Sequence, residues 1–173
     1  MEKAKERCNL EVKYGCVFCQ TGHEKTIAAR IEQTMPHVKA YSVIQEKHKC
    51  VGGKRSVVRE QVFNGYVFIA TTRSIDLHRL NNLPGVKFVL TDHEGEWELV
   101  GNDREFVEWI FENDGIIKMS KVYKEGDKLF FQSGLLKDYE GNIIKINKYR
   151  GTAQVEFIFG RMAFKVWAAF EWI

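Results

Sequence analysis

Cys16 and Cys19 form a C-x-x-C pair, the spacing used by zinc sites and thiol–disulfide centres. The residues around them, Tyr14 to Gln20, are short, apolar and β-prone, so the pair is expected inside a strand. Residues three apart on a strand point to opposite faces, and two such sulfurs do not converge on one ion. The sequence has no second C-x-x-C, and His48 with Cys50 is too little to complete a site. The expected role is buried and inert. The competing reading, a thiol-redox or zinc protein, requires bound metal or a titratable disulfide. His23, His37, His48, His78 and His93 fall in no nucleophile or metal spacing. Gly52-Gly53 lacks the flanking strand and helix of a phosphate loop. These absences lead to a binding protein and not an enzyme, with no cofactor and no metal.

Binding chemistry is better represented. Lys47, Lys49, Lys54, Arg55 and Arg59 surround Gly52-Gly53, and no acidic residue lies between Lys47 and Arg59. Such a segment is either a solvated loop or a phosphate contact. A second basic set, Lys148, Arg150, Arg161 and Lys165, lies near the C-terminal end, with Asp138, Glu140 and Glu156 in the same region. Tyr14, Cys16 and Phe18 share one strand face by parity. Tyr66 and Phe68 share a face of another strand, with Val67 and Ile69 opposite. A sheet apolar on both faces needs two covers. One is a helix layer; the other is either a further helix or a partner.

The elements that must position these residues follow from period and punctuation. The chain has 173 residues, 45% hydrophobic and 28% charged, with a formal charge of +3. That is ordinary globular composition, and the charge alone does not argue for nucleic acid. No apolar run reaches the length of a membrane span, and the charged stretch from Met1 to Lys13 lacks a signal-peptide core. A cytoplasmic protein with reduced thiols and no membrane contact is expected, residues 1–13 forming a tail. Ile27, Ile31 and Met35 predict a helix over 22–35, with Thr21 and Glu24 as a capping box. Strands are expected over 38–44, 62–70 and 86–90, and a long hairpin or loop over 45–61. Ser74 is expected to cap a short helix through Leu80, and Asn102 with Glu105 to open another ending near Asn113. Residues 14–113 therefore read as an α+β sandwich with a mainly antiparallel sheet. Residues 114–125 read as a linker. From Gly126 to Ile173 the pattern becomes all-β, with short strands at the spacing of a small five-stranded barrel and no helix period.

Two stretches resemble a known family. Ser133-Gly134-Leu135-Leu136-Lys137-Asp138-Tyr139-Glu140-Gly141, after Glu125-Gly126-Asp127 and before Ile143, Ile144 and Ile146, resembles the KOW motif. Gly134 and Gly141 stand where a turn enters a strand and positive φ is expected. Tyr14 to Lys25 and Asn64 to Ile69 are similar to the N-terminal domain of NusG-like transcription elongation factors. The resemblance implies a factor, acting as a monomer, whose N-terminal domain docks on the β′ clamp helices of RNA polymerase. The implied docking residues are Phe18, Tyr66 and Phe68, with Tyr14. It implies a KOW domain that binds nascent RNA, a ribosomal protein or a termination factor. The sequence departs from the common pattern at Tyr14 (usually Trp), Asn64 (usually Pro), Leu135 (usually Pro) and Asp138 (usually Gly). With the basic insertion, these departures resemble a specialised antitermination paralogue of the LoaP or RfaH-like groups. The alternative is a stand-alone RNA-binding or ribosome-associated KOW protein without polymerase contact.

Overall fold

Apolar residues on both faces, Tyr14, Cys16 and Phe18 on one and Val17 and Cys19 on the other, make Lys13–Cys19 (β1) an interior strand. The computed structural model describes residues 10–159 and 162–173, and for Met162 the backbone alone. Lys39–Tyr41 (β2), Tyr66–Thr71 (β5) and Val86–Val89 (β6) join β1 in one sheet, in the order β2-β5-β1-β6. The antiparallel register sets Cys16 opposite Phe68 and Phe18 opposite Tyr66. On its other side β1 sets Phe18 opposite Phe88. The strand expected from Val62 starts only at Tyr66, because Phe63 takes a φ of 56° and turns the chain ahead of it.

One face of this sheet is covered by Glu24–Thr34 (α1) and Leu77–Asn81 (α2), with Ile27, Ile31 and Leu80 packed on Val17, Val67 and Ile69. The start signals act differently from the expectation. The N-cap of α1 is His23, not Thr21, and makes no side-chain cap; the Glu24 carboxylate instead accepts from the Gly22 N–H ahead of the helix at 3.0 Å. Asp76, not Ser74, caps α2 by accepting from the Arg79 N–H at 3.1 Å. The helix Gly101–Glu112 (α3) begins ahead of Asn102, after Val100, with no side-chain cap. Its Phe106, Val107 and Ile110 face the opposite side of the sheet.

The basic segment is a β-hairpin of Ile44–Val51 (β3) and Lys54–Gln61 (β4). Gly52 and Gly53 turn it with φ of 58° and 77°, the conformation a two-residue hairpin loop needs to match strand twist. Within the expected linker, Ile116–Ile117 (β7) pairs with β3. Ser120–Glu125 (β8) is already a strand of the C-terminal sheet. The segment reads as a connector because only alternate positions, Ser120 and Val122, turn inward while Lys121, Lys124 and Glu125 stay in water.

Lys128–Phe131 (β9), Ile143–Asn147 (β10), Thr152–Phe159 (β11) and Met162–Trp172 (β12) complete a curled five-stranded sheet, in the order β10-β11-β12-β8-β9. In β11 the alternation holds: Ala153, Val155, Phe157 and Phe159 are buried. Leu135–Asp138 (α4) is a short helix where no helix period is legible. Gly134 precedes it with a φ of 83°, and a Cβ there would lie 2.6 Å from the Ser120 Oγ. Gly141 has neither constraint: its φ is not positive and a Cβ would meet nothing within 4 Å.

Candidate partner-binding face and nucleic-acid cleft

Parity and register bring Tyr14, Phe18, Tyr66 and Phe68 to one face of the N-terminal sheet. Phe18 lies 5.2 Å from Tyr66 and 5.0 Å from Phe88 between ring centres. Tyr14 turns to Phe111 at 5.6 Å. Three of the four are buried: Phe68 is 1% exposed, Tyr66 6% and Tyr14 7%. The sequence leaves this cover to a further helix or a partner; the helix is present, and the chain's own C-terminal unit adds to it. Phe106 of α3 packs 4.1 Å from Phe157 of β11. Phe159 lies 5.9 Å from Phe68, and Phe164 meets Tyr66 edge-on at 4.7 Å. Phe18 stays half-buried, with the Lys87 ammonium 4.8 Å above its ring. Phe88 beside it is half exposed. The sequence reading missed Phe88; pairing of the 86–90 strand against Phe18 is the signal that finds it.

Polar contacts stitch the same joint. The Trp109 indole of α3 donates to Asp138 of α4, and the His48 ring of the hairpin lies 3.6 Å from the Glu171 carboxylate of β12. Tyr139 packs on Phe106 and Phe157. Burial, then the carboxylates of Glu105, Asp138 and Glu112, pushes its phenol up to about 12.

The basic residues separate into groups. Lys47, Lys49 and Arg59 of the hairpin and Arg150 of the C-terminal unit line one cleft of about 810 Å³, together with His48, Cys50, Asn147 and Trp167. Two sets that are about a hundred residues apart in sequence thus meet. Glu60 pairs with Lys47, and Glu46 accepts from Arg59 at 3.0 Å. Lys54 and Arg55 stand exposed beyond the cleft at the hairpin tip. Lys148 borders a different gap, between the edge strands β9 and β10. Lys165 lies 3.9 Å from Glu156. Arg161 lies outside the described residues. Trp167 is among the lining residues that sequence reasoning passed over; in β12 it alternates with the inward-facing Val166 and Ala168.

Cys16 and Cys19 sit in separate cores on opposite faces of β1. Burial pushes the Cys16 thiol well above its usual range and the Cys19 thiol up to about 11. Protonated thiols are poor nucleophiles and poor metal ligands. Among the described residues no three metal-ligating side chains come together.

Comparison with known proteins accords with this architecture. Residues 13–107 match the family model described as transcription termination factor nusG. The transcription termination/antitermination protein NusG of Thermus thermophilus is 26% identical over 174 residues, spanning 88% of this chain and 92% of that protein. A solved structure described as domain interaction in Thermotoga maritima NusG superposes with a TM-score of 0.52 at 20% identity. It covers 92% of this chain and 94% of that one. At that identity the likeness speaks for the fold.

Proposed function

The chain belongs to the NusG family of transcription factors, and from that premise we propose that it is an elongation and antitermination factor acting by binding, without catalysis. In this reading the N-terminal sheet docks on the β′ clamp helices of RNA polymerase through Phe18, Tyr66 and Phe68, with Tyr14 and the neighbouring Phe88. The hairpin contacts nucleic acid, with nascent RNA the expected strand, and the C-terminal unit binds that RNA or another factor, a ribosomal protein or termination factor. The protein works as a monomer in the bacterial cytoplasm, as a specialised paralogue of LoaP or RfaH-like type.

The observation that carries this reading is the aromatic face itself. Phe18, Tyr66, Phe68 and Phe88 form a contiguous set, and half of it is covered by Phe159 and Phe164 of the C-terminal unit. A face of this size and apolarity suits a helical partner, and such a partner reaches it only after the C-terminal unit moves aside. Phe18 and Phe88 remain accessible for first contact.

Retention of the full chain on purified RNA polymerase tests the reading. Phe18→Ala is expected to weaken retention at least tenfold while leaving the fold intact, because that ring is only half-buried. Phe159→Ala is expected to strengthen it by loosening the cover. Unchanged retention in both variants defeats the docking face. RNA binding without any retention on polymerase favours the stand-alone RNA-binding alternative. In transcription past a terminator downstream of a native leader, readthrough is expected to rise with the protein and not with Phe18→Ala.

A further inference from the structure

We propose that the cleft between the β3–β4 hairpin and the C-terminal sheet is a composite site for single-stranded nucleic acid, complete only while the two units are docked. The proposal rests on the nucleic-acid reading above and adds where the strand lies and what the docked arrangement does for it.

Both walls supply the chemistry. The hairpin wall carries Lys47, His48, Lys49 and Arg59; the opposite wall carries Arg150 and Trp167. Four of the lining residues are lysine or arginine and one, Glu60, is acidic. Lys47 and Arg59 are engaged by Glu60 and Glu46. Lys49 and Arg150 line the cleft, and neither has a carboxylate at ion-pair distance among the described residues. One stands on each wall, as a phosphate backbone running between the walls requires. The Trp167 ring is 39% exposed in the same cleft. A tryptophan kept open to water beside these cations offers a stacking surface for a base, which paired bases inside a duplex do not present. Beside the cleft, the His48 ring of the hairpin lies 3.6 Å from the Glu171 carboxylate of β12.

A ligand gripping both walls favours the docked arrangement, which is the arrangement that covers Phe68 and Tyr66. By linkage, occupation of the cleft and docking on polymerase then oppose each other. The strand in the cleft holds the factor in reserve, and engagement of polymerase releases it.

The test uses the full chain and a labelled single-stranded RNA of about twelve nucleotides, read by fluorescence anisotropy over a salt series. Trp167→Ala is expected to weaken binding at least about fivefold, and Trp167→Phe to restore most of it. Lys49→Ala and Arg150→Ala, both at exposed positions, are each expected to weaken binding and to flatten the salt dependence by about 0.7 in log–log slope. The same RNA carrying a photoreactive uridine is expected to crosslink to peptides of both β3 and β12. Matching single-stranded DNA separates transcript from DNA as the source, and either supports the site. Duplex RNA is expected to bind more weakly; equal binding overturns the stacking role and the site with it. If RNA binds but only one wall responds to substitution, the composite site is wrong while nucleic-acid binding stands. If the wild-type chain binds no RNA at low salt, both fall, and retention on polymerase is read independently.

Discussion

The indole N–H of Trp109 donates to the Asp138 carboxylate at 2.8 Å, joining the last turn of α3 to α4 in the C-terminal unit. Asp138 lies in the stretch that resembles the KOW motif, at a position where that motif usually has glycine, and it gives the loop an acceptor for the N-terminal unit. An exposed hydrogen bond of this kind contributes about 1 kcal/mol. The neighbouring ring contacts contribute more in sum, since each aromatic pair adds about 0.5–1.5 kcal/mol beyond its buried area. The bond orients the joint; the rings hold it.

Trp109→Phe, which keeps the ring and removes the donor, is therefore expected to shift the docked-to-open ratio about fivefold, equivalent to about 1 kcal/mol. Asp138→Asn leaves an acceptor and is expected to shift it less. Affinity for polymerase is the readout: a rise in Trp109→Phe shows that opening limits docking. Equal affinity in wild type and both variants shows that it does not.

Glu24 makes the stability of the N-terminal sheet depend on pH. Burial alone raises its pKa, but the N–H groups of Gly65, Glu24 itself and Gly22 outweigh that and hold it below the usual carboxylate range. The Gly65 bond, at 2.7 Å, crosses from α1 to the turn before β5. With the folded pKa lowered, its stabilisation is fully present above the unfolded value of about 4.3 and is lost as pH falls through the folded one. Chemical denaturation of wild type and Glu24→Gln is expected to show wild type more stable at pH 7. The gap should shrink below about pH 4. A gap independent of pH would show that the carboxylate charge is not involved.

Gly134 and Gly141 flank the same motif but differ in need. Gly134→Ala is expected to destabilise by about 1–3 kcal/mol or more, because φ is 83° and the new Cβ meets Ser120. That contact also threatens the bond from the Leu136 N–H to the Ser120 Oγ at 3.1 Å. Gly141→Ala is expected to be neutral within about 0.5 kcal/mol. Thermal melts of the two variants decide it, and equal effects would contradict the local geometry.

The thiols give a test of the zinc and redox alternative. In the native chain at neutral pH, Cys16 and Cys19 are expected to resist Ellman's reagent and to react on unfolding, while the exposed Cys50 reacts at once. Native mass spectrometry is expected to find no zinc. Bound metal, or rapid modification of Cys16, would restore the alternative.

Much of the fold is legible because its signals are local. Thr152 to Phe159 alternates cleanly, and β11 has those bounds. Ile27 and Ile31 recur at helix spacing and bury the face of α1. Parity put Cys16 and Cys19 on opposite faces, and the sheet keeps them there. What escapes is whatever depends on residues far apart. Asp76 displaces Ser74 as a cap because the backbone is still extended at Asp76 and the helix begins only at Leu77, which composition does not reveal. Leu135 and Leu136 are buried at 0% exposure in a single helical turn, too short to display a period. The burial of Phe68 under Phe159 joins positions separated by more than ninety residues, and no pattern within either strand reports it. Lys49 and Arg150 each look like ordinary surface charge until the hairpin is laid against the last strand.

The order of strands in the C-terminal sheet gives the protein a history each time it is made. β8 lies beside β12 in parallel register, with Ser120 opposite Phe170 and Val122 opposite Trp172. Every segment of the N-terminal sheet, and β8 too, is synthesised before its neighbour β12. Domains fold from the N-terminus first during translation. Until Phe159 and Phe164 emerge, the newborn chain lacks the C-terminal part of the cover over Tyr66 and Phe68. On the docking reading proposed above, the face meant for a partner is therefore most open while the chain is still being made.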